Sequence, residues 1–187
     1  MTPANIPPEI KDQARQMQRV GWIDFWLQAI ALFIAVLCLI FAITGRQFAE
    51  DANPAIGWGI FFAIFTILSG LVGAFLSVRY AGMGQRLIDP KLTPNPKKSK
   101  AVRLLKWGVY VGAIGTLLAL IGCGLTSAVL LAKTVSQPPG TTLTDASEAV
   151  RAMDVLVLLA NLNGIVAHWV GSVAALWLLY HIRYAPE

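Results

Sequence analysis

Apolar residues fill nearly every position over residues 25–44, 56–78, 107–132 and 155–180, and none of the four blocks contains Asp, Glu, Lys or Arg. A helix needs roughly 20 such residues to cross about 30 Å of hydrocarbon, because each residue advances it by only about 1.5 Å. All four blocks reach that length. Membrane strands would read as short alternating segments, so continuous apolar runs predict helices. The chain is therefore expected to be an all-α, four-span integral membrane protein, with residues 1–187 as a single domain. Ahead of the first block, Pro7-Pro8 and the polar run to Arg19 predict an amphipathic segment over 1–20 that continues into the first crossing. Residues 133–153 are expected as an outer loop with a turn at Gln137-Pro138-Pro139-Gly140. Asp145 and Glu148 then have the spacing of a capping box opening a helix.

A second periodicity lies inside the blocks. Small or polar residues follow one another at steps of 4 and 3 in each block. They are Gly59, Ala63, Thr66, Gly70, Gly73 and Ser77 in the second and Gly108, Gly112, Gly115, Ala119, Gly122 and Thr126 in the third. The fourth has Ala160, Gly164, Ala167, Gly171 and Ala174, and the first Gln28, Ala31, Ala35, Cys38 and Ala42, led in by Asp24 just ahead of it. Such heptad seams let helix backbones approach closely where lipid gives no hydrophobic drive, and they predict a tight left-handed bundle. Little room is left for a water-filled pore in one subunit, so conduction would require a homo-oligomer or a partner.

Composition agrees: 56% of residues are hydrophobic and 13% charged, against about 25% charged in soluble domains. Lys and Arg are distributed unequally. Twelve lie before the first block, between the second and third, or after the fourth, and three (Arg46, Lys133, Arg151) lie in the remaining connections. The positive-inside rule then puts both termini and the 79–106 connection on the cytoplasmic or stromal side. Arg86, Lys91, Lys97, Lys98, Lys100, Arg103 and Lys106 make that connection a basic loop for anionic lipids or a partner. Tyr80, Trp107, Tyr110 and Trp177 fall where aromatic rings anchor at headgroups. The net charge of +5 thus reflects topology, and no nucleic-acid recognition motif accompanies it.

Chemistry is sparse. Asp154, just ahead of the fourth block, and Asn161 and His168 within it recur every seven residues on one stripe, and ionisable groups inside a membrane are costly to bury. With Asp24 and Gln28 of the first helix they form a candidate cation path, in which His168 and Asp154 are the metal-ligand candidates and iron or manganese the matching ions. The competing reading makes His168 an interhelical hydrogen-bonding group toward Thr66, Ser69 or Thr116. Cys38 and Cys123 have no partner pattern. No nucleophile–base pair, metalloprotease helix or phosphate loop is present, so neither an enzyme nor a resident cofactor is expected.

Three segments carry a resemblance. Gln18-Arg19-Val20-Gly21-Trp22, then Arg79-Tyr80 with Leu87-Ile88-Asp89-Pro90, and the run from Met153-Asp154-Val155 through Asn163, His168 and Gly171 to Leu176-Trp177-Leu178-Leu179 resemble the chloroplast inner-envelope Tic/permease family and its cyanobacterial relatives. The likeness extends from about Gln16 to Ile182. It implies either a protein-import translocon component or an iron permease, and for cyanobacterial relatives a link to photosystem assembly, with other membrane proteins as partners. The polar N-terminus lacks the look of a transit peptide, which favours a cyanobacterial plasma or thylakoid membrane. Leu159 departs from the family, which favours Gln there, and a cation route is thinner for it.

Overall fold

The computed structural model describes residues 8–47, 54–88, 98–136 and 151–183. Four helices account for nearly all of them: α1 (Pro8–Gln47), α2 (Pro54–Ile88), α3 (Lys98–Val135) and α4 (Ala152–Arg183). Each is long and apolar enough to cross a membrane, and the chain is a multi-pass membrane protein. Both α1 and α2 open on proline, whose missing N–H is no loss in a first turn.

The helices outrun the apolar blocks. Of the connection expected over 79–106, residues 79–88 belong to α2 and 98–106 to α3. Arg86, Lys100, Arg103 and Lys106 therefore sit on helices, while Lys91 and Lys97 lie outside the described residues and Lys98 opens α3. The capping-box pair Asp145 and Glu148 also lies outside them, and α4 begins at Ala152.

Contacts divide the chain into two compact units, and every helix contributes a stretch to each. The first unit takes Met1–Ala29, Gly70–Ala113 and Ala167–Glu187; the second takes Ile30–Ser69 and Ile114–Val166. In the first, Met17, Tyr80, Ala101, Leu105, Ala175, Leu178 and Ile182 form the core. Here α1 and α2 meet backbone to backbone. A Cβ on Gly21 would lie 2.8 Å from both the Ala81 nitrogen and the Ser77 carbonyl oxygen, and one on Gly84 would strike the backbone of Ala14 and Gln18. Only glycine tolerates such approaches, because backbone atoms cannot swing aside.

In the second unit, small residues again make the core: Ala35, Ala63 and Ala160 gather with Leu39 and Ile67. Gly59 lies against Thr126 and Val157, and Gly164 against Thr66. In both units large apolar side chains point outward, among them Phe33, Phe65 and Leu117 in the second and Trp169 in the first. A soluble protein rarely exposes so much apolar surface, whereas lipid demands it. The helices are thus apolar on their exposed faces and small or polar on their buried ones.

Candidate functional site

Tyr80 departs from its expected place at the headgroups. Its side chain is 1% exposed and belongs to the core of the first unit, because three residues after Ser77 it continues the buried face of α2.

Around it the first unit collects its polar groups. Asp24 and Gln28, one turn apart on α1, are buried, as is Ser77 on α2. The Ser77 hydroxyl donates to Asp24 Oδ2 at 2.6 Å. Gln28 Nε2 donates to Asp24 Oδ1 at 2.8 Å and to Ser77 Oγ at 3.0 Å. Three side chains from two helices thus close a triangle in which both carboxyl oxygens receive a proton donor, the condition for burying such a group. The Gln28 amide also fills a slot between helices. A Cβ on Gly73 of α2 would lie 2.8 Å from its Oε1, and one on Gly171 of α4 would lie 2.8 Å from its Nε2.

A small cavity, about 10 Å³, adjoins this triangle and is lined by Asp24, Gln28, Ser77, Tyr80 and His168, with Gly73, Gly108, Gly112 and Gly171 completing its wall. It draws on all four helices. Gly108 is required there because a Cβ would collide with the Tyr80 hydroxyl, and Gly112 because one would meet Ser172.

The second unit has polar side chains of its own. Asn161 Nδ2 donates to the Gly59 carbonyl of α2 at 3.1 Å and to the Val157 carbonyl of α4 at 3.0 Å. A Cβ on Gly122 of α3 would run into the same amide. Asp154 is also buried, and its Oδ2 takes a 2.7 Å bond from Lys133 Nζ. The Arg151 backbone N–H approaches the same oxygen at 3.4 Å, so Asp154 reaches back over the first turn of α4 as a capping carboxylate does. Lys133 stands in the last turn of α3 and Asp154 in the first of α4, each with the charge that its helix end favours.

The candidate path residues are therefore divided. Asp24, Gln28 and His168 line the cavity of the first unit, while Asp154 and Asn161 belong to the second. Among the described residues no three His, Cys, Asp or Glu side chains come together as a metal-holding group. Of the seam glycines, Gly70 and Gly115 are buried with Gly108, Gly112, Gly122 and Gly164, and Gly73 and Gly171 are half-buried. Lys100, Arg103, Lys106 and Arg86 are exposed. Sequence reasoning missed Gly21, Gly84 and the structural roles of Tyr80 and Lys133. The two glycines were within reach, since stepping back by 3 from Asp24 gives Gly21 and forward by 7 from Ser77 gives Gly84.

Residues 7–183 match the family described as protein of unknown function (DUF3611). Among curated proteins the chain is 28% identical over 187 residues to "Protein TIC 21, chloroplastic" of Arabidopsis thaliana, an alignment that covers 94% of this chain and 60% of the relative. The chain thus spans about 60% of that relative's length. No solved structure matches it.

Proposed function

The chain belongs to the DUF3611 family, and on that premise we propose that it is a non-enzymatic membrane protein that docks other membrane proteins, as a component or assembly factor of a Tic-type translocation complex. The observation that carries the reading is the similarity to Protein TIC 21, which extends over most of the chain. The chemistry of the interior is consistent with it. Asp24, Gln28, Ser77, Asn161, Lys133 and Asp154 all bond to one another or to backbone, as polar groups that hold membrane helices together do. What the molecule offers to others is its outer surface.

The same reading gives the molecule an orientation. Arg15, Arg19, Arg79, Arg86, Lys100, Arg103 and Lys106 are all exposed in the first unit. They turn toward the cytoplasmic or stromal leaflet, where each basic residue near anionic headgroups contributes about 1 kcal/mol to attraction.

Photo-crosslinking in native membranes tests the docking role, with the photoreactive residue placed at lipid-facing Trp169, Leu117 or Phe65. Discrete adducts with other membrane proteins are expected, at some positions and not others. Adducts with lipid alone from every position would overturn it.

A further inference from the structure

Tyr80 carries a polar group that the network around it leaves over. Its side chain is 1% exposed, and its hydroxyl has no hydrogen-bond partner among the described residues. Leaving a buried hydroxyl unmade costs more than making its bond gains, and in a membrane span no bulk water can reach it. A phenylalanine would fill the same space without that cost. The hydroxyl nevertheless lines the cavity that Asp24, Gln28, Ser77 and His168 also line, and the volume there, about 10 Å³, is about the room of a single water. A buried water needs two to four polar partners, and this wall supplies carboxylate, amide and hydroxyl groups beside the phenol.

Within the triangle the donors are already assigned: Ser77 gives its proton to Asp24, and the Gln28 amide gives its two protons to Asp24 and Ser77. The oxygens keep further lone pairs. A ligand in the cavity must therefore accept from or donate to Tyr80 and donate toward these oxygens. Water does both in one molecule.

We propose that the first unit holds one structural water that joins the Tyr80 hydroxyl to the Asp24–Gln28–Ser77 triangle. Gly73, Gly108 and Gly171 admit the Gln28 amide and the Tyr80 hydroxyl to the cavity, and the water adds a second α2 side chain to the triangle.

Thermal unfolding of the full chain in lipid nanodiscs tests this through Tyr80→Phe, a substitution that preserves shape. If water bridges the hydroxyl, Y80F lowers Tm by about 2–4 °C, the shift of one water-mediated bond in a chain of this size. An unchanged or raised Tm overturns the proposal, because removing a stranded hydroxyl is neutral or favourable. A cycle with Asp24→Asn adds a second readout: a bridged pair gives a non-additive double variant, and strict additivity counts against the bridge. Melting in sodium, potassium and choline salts distinguishes water from a monovalent cation. Equal midpoints are expected, and a cation-specific rise that Y80F abolishes would put an ion in place of the water.

Discussion

Lys133 Nζ lies 2.7 Å from Asp154 Oδ2, and the two side chains are 7% and 6% exposed. The pair joins the end of α3 to the start of α4 across 21 positions of sequence. Buried ion pairs of this kind are poor sources of net stability, but breaking one is costly because the surviving charge keeps its desolvation penalty. Asp154→Ala is therefore expected to destabilise the protein by roughly 3–5 kcal/mol. The double change Lys133→Met, Asp154→Leu should recover most of that loss, as melting curves in detergent or nanodiscs would show. Equal destabilisation by the single and double variants would mean that the pair is not what holds these helix ends.

Glycine substitutions should sort by what a new Cβ meets. At Gly171 it would press on the Gln28 amide at 2.8 Å, whereas at Gly82 nothing lies within 4 Å. Gly171→Ala is expected to cost about 1–3 kcal/mol through overpacking. Gly82→Ala should be neutral or stabilising by up to about 1 kcal/mol, since alanine is the better helix former. Comparing the melting temperatures of the two variants checks both signs at once.

Asn161 tests whether the fourth helix uses its polar residues for packing. Its Nδ2 faces two carbonyl oxygens, of Gly59 and Val157, at 3.1 and 3.0 Å. Asn161→Asp replaces that donor with an acceptor of the same shape and sets oxygen against oxygen. It should be more destabilising than Asn161→Ala, which only leaves the carbonyls without this donor. In a cation path the order would reverse, because a carboxylate there would strengthen the site. Expression and thermal stability of the two variants, side by side, give the order.

The four-helix architecture is legible in the sequence, because four charge-free blocks long enough to span a bilayer allow only helices. What could not be read were the tertiary pairings. Lys133 and Asp154 lie on different helices, and no periodicity links positions on separate helices. Tyr80 misled for a different reason: its residue type suits a membrane interface, but its register, three after Ser77, belongs to the buried face. Register is the better guide there, since a side chain's direction is fixed by the helix and not by its chemistry. Asp154, Asn161 and His168, which share a heptad stripe, are all buried, and the stripe alone does not say which groups each one meets. Each residue answers to the groups that the neighbouring helices bring, and those differ between the two units.

If the buried polar residues serve helix packing, the molecule acts through its surface and moves no ions. Ferrous-ion uptake into proteoliposomes containing the purified protein decides this. The expected uptake rate equals that of protein-free liposomes, with no change on His168→Ala. Saturable, protein-dependent uptake that His168→Ala abolishes would contradict it.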